Sequence, residues 1–231
     1  MKLLAIDTSS VACSAAVLNG DERHSRHEEQ PREHTRLLLP MVEELLDESG
    51  LALAELDAIV LGNGPGSFIG MRIAASVAQG LAFASGLQVV PVSSLAAAAA
   101  RAKQDHDANE VVVNHDAHMQ QVYLGIFVPD ADGLPAAKVP ERLHDLAVID
   151  ELVPNASVRR VAAGYGWQRY PELLFANRDR VTIVSEVLHP HASDLLDLGG
   201  AALADGQAVA PQDIAPAYLR QKVAEKPDQA S

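Results

Sequence analysis

The stretch Ala58-Ile59-Val60-Leu61-Gly62-Asn63-Gly64-Pro65-Gly66-Ser67-Phe68-Ile69-Gly70-Met71-Arg72-Ile73 sets the fold class. Residues 58–61 are an apolar run of strand length. They enter a glycine-rich turn, and from Phe68 apolar and small residues recur at helical spacing up to Ser85, with Gly86 as the stop. A buried strand feeding a helix through a tight turn is the unit of an α/β protein. The glycines let backbone come close to whatever lies opposite, and the helix N-terminus offers free N–H groups to an anion. Pro65 removes one donor and no lysine follows, so this is no Walker loop. A tight structural turn reads equally well.

Upstream, residues 3–6 and 12–18 are apolar runs, and a polar segment reaches Arg26. Strand–turn–strand–turn–strand is an antiparallel meander. Then Leu37, Leu38, Met41, Val42, Leu45 and Leu46 recur at helical spacing, with acidic residues on the other face and Gly50 as the stop. Leu37, Leu38, Leu39, Met41 and Val42 give more apolar width than one sheet contact requires. Beside a small-residue helix they predict a surface for another chain. Downstream, residues 87–92 form a strand, and Ser93 or Ser94 caps an alanine helix reaching about Lys103. The first lobe is therefore β-β-β-α-β-α-β-α, and the expected boundary falls at 107/108. In residues 108–231 the pattern predicts strands at 111–114 and 121–128, turns at 129–135, and a helix over 143–152. A strand at 158–163, a short helix at 167–174, a strand at 181–184 and a helix at 192–204 follow. The two lobes share a rough order, as if one unit were duplicated, and the polar sequence from Lys222 onward is expected to fray.

Composition limits the function. Net charge is −13, from 18 basic and 31 acidic residues, and aromatics are 4%. Phosphate contacts drive nucleic-acid affinity and aromatics supply stacking, so direct nucleic-acid binding by this chain alone is not expected. One cysteine, Cys13, permits no internal disulfide, and on an apolar strand it reads as core. No secretion signal or membrane-spanning run is evident, which makes the expected location the cytoplasm. Nine histidines raise the question of a metal. Yet His115 and His118 diverge in an extended segment, Pro190 separates His189 from His191, and no helical histidine pair occurs, so no metal is expected. Ser67 does not stand in a nucleophile elbow, and no catalytic residue is assigned. Asp7, Thr8, Gly64, Gly66 and Ser67 remain as candidate nucleotide or phosphate contacts.

Several segments together resemble the bacterial TsaB (YeaZ) family. They are Leu4-Ala5-Ile6-Asp7-Thr8-Ser9, Arg32-Glu33-His34-Thr35 with Leu38, Leu39, Pro40 and Met41, and the block from Gly62 to Ile73. Ala78-Gln79-Gly80-Leu81-Ala82, Val92-Ser93-Ser94-Leu95, Asp116-Ala117, Gly164 with Gly166-Trp167, and Tyr218-Leu219-Arg220 continue the match. The resemblance implies a two-lobed, actin-like and ribonuclease-H-like fold, each lobe a mixed sheet with flanking helices, the last helix packing back toward the first lobe. It implies a non-catalytic partner of the related transferase TsaD, in an assembly that places threonylcarbamoyl on the adenosine beside the tRNA anticodon. TsaE, an ATPase, is the implied third member. TsaB alone is expected to form a homodimer, tRNA is met only through the complex, and no membrane is involved. No cofactor is required of the chain itself, although ATP or ADP with Mg at the complex interface is compatible. The implied docking face is carried by His34, Leu38, Met41, Val42, Leu45, Gly70, Ile73 and Val77. The chain departs from the family pattern at Asn63 and His118, where arginine is usual, at Ile69, where threonine is usual, and at Gln120 and Gln121, where glycine and glutamate are. The rival reading is a stand-alone ATP-dependent phosphotransferase or hydrolase of the same fold using Asp7, and a metallopeptidase is a third.

Overall fold

The computed structural model describes residues 1–220, so the segment from Lys222 onward lies outside the described residues. The meander forms as expected: β1 (Lys2–Asp7), β2 (Cys13–Asn19) and β3 (Glu22–Glu28) pair antiparallel. Then come α1 (His34–Ser49), β4 (Ala58–Gly62), α2 (Phe68–Ser85), β5 (Val89–Val92) and α3 (Ser94–His106). The apolar β1 and β4 are buried on both faces and pair in parallel, as strands beneath two helical layers should. The β3 edge is charged and half-exposed, which blunts it against edge pairing.

The second half contains β6 (Glu110–Asp116), β7 (Gln121–Pro129), β8 (Pro135–Asp145), β9 (Arg160–Ala163), α4 (Tyr165–Arg169), α5 (Pro171–Ala176), β10 (Ile183–Val184) and α6 (Ala192–Ala204). The predicted helix over 143–152 is not there. Strand β8 occupies its start, and turns carry Ile149 and Leu152 into the core. Asn177 replaces the helix's own bonding: Ile149 N donates to its Oδ1 and its Nδ2 donates to Ala147 O. Strand β8 escapes a pattern reading because Pro135 and Pro140 break it. Pro140 sits at a register shift of an edge strand, where proline is tolerated.

With β8 in place the duplication is topological. One sheet runs β3-β2-β1-β4-β5 and the other β8-β7-β6-β9-β10. Three antiparallel strands followed by two parallel ones, in that order, is the ribonuclease-H-like sheet, and two of them make the actin-like arrangement. The helices between the sheets are exchanged. Helix α3 follows the first sheet but packs on β6, β7 and β9, whereas α6 ends the second half and packs on β1, β2 and β5. Helices α1 and α2 cover the outer face of the first sheet. Among the described residues α2 is the one helix whose length and composition would suit a membrane. Its buried side (Met71, Ala74, Ala75, Ala78, Ala82) rests on the sheet, which leaves its open side apolar.

Candidate functional site

The glycine turn lies directly on the exit of β1. A Cβ on Gly66 would stand 2.2 Å from Ser9 O, and one on Gly70 would stand 1.9 Å from Thr8 O. Glycine is required at both points for contact rather than for a ligand. Ser67 N donates to Ser9 O, Thr8 Oγ1 donates to Gly70 O, and Ser67 Oγ accepts from Gly70 N as the cap of α2. Asp7 is enclosed at the same junction. Its Oδ1 accepts from Ser9 N and Ser9 Oγ at 2.8 Å each, and its Oδ2 accepts from Ser94 Oγ at 2.6 Å. Burial raises its pKa against these donors. Asp7, Thr8 and Gly64 therefore hold β1, the turn and α3 together, with their polar groups bonded internally. The donor set does not fit a magnesium ion, because Asp7 is the carboxylate here and all its bonding is internal. Of the candidate phosphate contacts, Gly66 and Ser67 line a cavity.

That cavity, about 420 Å³, lies between the lobes. Ser9, Ser10 and Val11 of the β1–β2 turn and the start of α2 form one wall. His115 and Asp116 of β6, Tyr165 of α4 and His189 form the other, with Arg32 and His118 also lining it. His115 and His189 are nearly closed off from solvent, with ring centroids 6.4 Å apart in an edge-on pair. His115 Nε2 and His189 Nδ1 have no hydrogen-bond partner. Burial, reinforced by the neighbouring His189, lowers His115 to about 3, and burial lowers His189 as well. Asp116 Oδ1 accepts from Tyr170 Oη at 2.8 Å and from His118 N at 2.7 Å. Burial, helped by Asp116, holds Tyr170 at about 12. Among the described residues that line or adjoin this cavity no nucleophile stands beside a free base: the Ser9 and Ser94 hydroxyls both donate to enclosed Asp7, and burial pushes the Cys13 thiol up to about 12. Among the described residues no three histidine, cysteine or acidic side chains are grouped to hold a metal.

Residues 208–220 cross from lobe to lobe. Asn63 Nδ2 donates to Ala215 O, Arg72 Nε donates to Tyr218 Oη, and Arg220 Nη2 donates to Ala117 O and Gln121 Oε1. Asn63 thus holds the strap through its side-chain amide. Arg220 braces a turn in which His118, Met119 and Gln120 all have φ between 52° and 60°, a left-handed run that L residues resist.

A groove of about 460 Å³ separates α1 from α2, lined by Thr35, Leu38, Leu39, Ile69, Arg72, Ile73, Ser76 and Val77. Here the sequence reading needs correction. Leu38, Met41, Val42 and Leu45 are at most 6% exposed and face the first sheet; the excess apolar width of α1 is carried by Leu39, at 44% exposed. His34 is buried with Nε2 against Ser10 O, and Gly70 is buried under Thr8. Buried as they are, His34 and Leu38 line the groove together with Ile73 and Val77. Leu39 belongs to the wide apolar face that the sequence predicts as a surface, whereas Ile69 (70% exposed) and Phe83 (83% exposed) are surface that the sequence reading does not name. Gly80 was missed too: it sits within α2 with open space where its Cβ would be. An exposed apolar residue at an otherwise solvated helix position was the available signal.

The family model for TsaD, described as tRNA N6-adenosine threonylcarbamoyltransferase, matches residues 22–150. The tRNA threonylcarbamoyladenosine biosynthesis protein TsaB of Escherichia coli strain K12 is 37% identical over 98% of this chain and 97% of its own length. The protein of the same name from Haemophilus influenzae is 35% identical over 96% and 95%. Among solved structures, YeaZ from Pseudomonas aeruginosa is 39% identical with a TM-score of 0.84, covering 94% of this chain and 99% of that one. Another, described as an uncharacterized protein with similarity to peptidase YeaZ from Pseudomonas aeruginosa, is 40% identical with a TM-score of 0.86. Sequence likeness that runs the length of both lobes, on the same backbone, places this chain in the TsaB family of tRNA threonylcarbamoyladenosine biosynthesis proteins.

Proposed function

We propose that this chain performs no chemistry of its own and serves as the docking partner of the family's transferase, TsaD, in making threonylcarbamoyladenosine on tRNA. The observation that carries the reading is the open α1–α2 groove. Leu39, Ile69, Ile73 and Val77 offer an apolar face, and Gly80 offers a helix surface with no side chain above it. A glycine within a helix costs about 1 kcal/mol relative to alanine, and nothing within this chain fills the space it leaves. A second helix lying against α2 would use it. The same face brings two copies together when the transferase is absent. The cleft supports the non-catalytic reading, since its carboxylates are bonded to internal donors and no nucleophile is activated. Any ATP or ADP with Mg that the assembly uses is held at the junction with TsaD and TsaE. The net charge of −13 leaves tRNA to the assembled complex in the cytoplasm.

The test is pairing of the purified chain with its cognate TsaD, followed by light-scattering chromatography. Ile69→Asp sets a charge on the open face and is expected to weaken pairing by about 2 kcal/mol or more while the chain stays folded. Undiminished pairing by a folded Ile69→Asp chain would remove the groove as the docking site.

A further inference from the structure

Of the described residues that line the α1–α2 groove, Arg72 is the one that carries a permanent charge. Its side chain is exposed, yet the guanidinium is held from two sides. The guanidinium carbon lies 3.8 Å from the centroid of the Phe68 ring, one turn earlier on α2, and Nε donates to Tyr218 Oη at 3.0 Å. Tyr218 packs on Phe68 in turn, with ring centroids 5.4 Å apart. It also stands on the strap that Asn63 ties down twice, its Nδ2 donating to Ala215 O and its O accepting from Ala217 N. The ring therefore takes a face of the guanidinium and the hydroxyl takes Nε. Among the described residues Nη1 and Nη2 are left without a hydrogen bond or ion pair. N–H groups fixed in this way match the two oxygens of one carboxylate. A side chain already restrained loses less entropy when it makes that contact. The chain has 31 acidic residues, and none of those described lines the groove to meet it.

A second copy of the chain has no carboxylate to give from the same groove. A two-fold contact sets one patch against itself, so self-pairing places two unmatched arginines against apolar side chains, where a desolvated charge without a partner is costly. We infer, on the footing of the docking reading, that the partner presents a helix with an aspartate or glutamate beside its apolar stripe, and that Arg72 takes this carboxylate and so favours the transferase over a second copy. Specificity is then a difference of two affinities. Both pairs use the apolar residues Leu39, Ile69, Ile73 and Val77, and the mixed pair gains a charge-assisted contact that the self-pair lacks.

The experiment measures two dissociation constants for each purified full chain by sedimentation velocity, one for pairing with cognate TsaD and one for self-association. Arg72→Gln, at an exposed position that leaves the core intact, should weaken the mixed pair by about tenfold or more and leave self-association unchanged or tighter. Arg72→Lys, which keeps the charge without the planar fork, should recover part of that loss. Raising sodium chloride from about 0.05 to 0.5 M screens charge and should weaken the wild-type mixed pair more than the Arg72→Gln one. Ile69→Asp is the control for the face itself. Pairing disrupted by Ile69→Asp but untouched by Arg72→Gln would keep the docking site and overturn the partner's carboxylate. Normal pairing by Ile69→Asp would remove the face, and the role of Arg72 with it. Equal weakening of the mixed pair and the self-pair by Arg72→Gln would also overturn the inference, because the arginine would then serve the face without choosing the partner.

Discussion

Two residues show how differently glycine and its substitutes act in this chain. Gly70 sits where any side chain would meet the Thr8 carbonyl. Gly70→Ala should lower stability by about 1–3 kcal/mol, the ordinary cost of overpacking, read by urea denaturation. Gln120 is the reverse case. It holds a φ of 57° between Met119 and Gln121 where the family usually has glycine. Gln120→Gly should raise stability by about 1 kcal/mol, because a left-handed L residue costs about that much; an unchanged or lower urea midpoint would contradict it. The sequence marked both positions without distinguishing their causes. A glycine spelled in a motif reads as a ligand cradle or as a close contact with equal ease, and only the position of Thr8 and Ser9 opposite decides it. Likewise Asp7 was legible as a strand-end carboxylate, but not the enclosing donors, since Ser94 is far along the chain.

Among the elements, the regular ones were legible and the interrupted ones were not. Helix α2 was readable to its ends because small and apolar residues recur at one period between Ser67 and Gly86. Strand β8 was not, because its prolines mimic a loop, and the helix read over 143–152 answered to apolar spacing that a turn bonded to Asn177 also satisfies. The direction of α1 was the costlier miss. A wide stripe says that two sides are apolar, not which one meets the sheet: Leu38, Met41, Val42 and Leu45 meet it, Leu38 also edging the groove, and Leu39 is the exposed member. The consequence is measurable. Leu38→Asp should unfold the first lobe by burying an unpaired charge, whereas Ile69→Asp should leave it folded and fail to dock. Gly80→Ala separates stability from docking more finely. It should stabilise the isolated chain by about 0.5–1 kcal/mol and weaken pairing with the transferase. A gain in both would mean that no helix lies against α2 there.

At the scale of the molecule, histidines join the lobes. His27 of the first sheet stacks on His191 before α6 at 3.7 Å, and His189 continues the line to His115. Burial lowers all four, His191 to about 4 and His115 to about 3. Freed on unfolding, each titrates near 6.5. The unfolded chain thus binds protons that the folded one refuses, and stability present above pH 6.5 drains away as pH falls toward 4 and 3. Glu141, which burial holds at about 6, acts with the opposite sign as pH falls from 6 to 4.5, and burial raises Asp7 and Asp194 in the same sense. The melting temperature should therefore drop between pH 7 and 6, and replacing His27 and His191 by glutamine should flatten that drop; an equal drop in the double variant would acquit the stack. The last helix is expected to pack toward the first lobe, and α6 lies on that sheet; the crossing of α3 onto the second sheet was not legible in the sequence, because its small apolar residues suit either sheet. The exchange makes the two lobes one unit, with the outer face of the first left for a partner. On the proposed reading this face docks the transferase while the cleft does no chemistry. Light-scattering chromatography of the chain mixed with its cognate TsaD, run for the wild type and Ile69→Asp beside an ATPase assay of the chain alone, tests it most directly. Expected are a 1:1 complex that Ile69→Asp loses and no ATP turnover by either chain. Pairing untouched by Ile69→Asp, or ATP hydrolysis by the chain that Asp7→Ala abolishes, would contradict it.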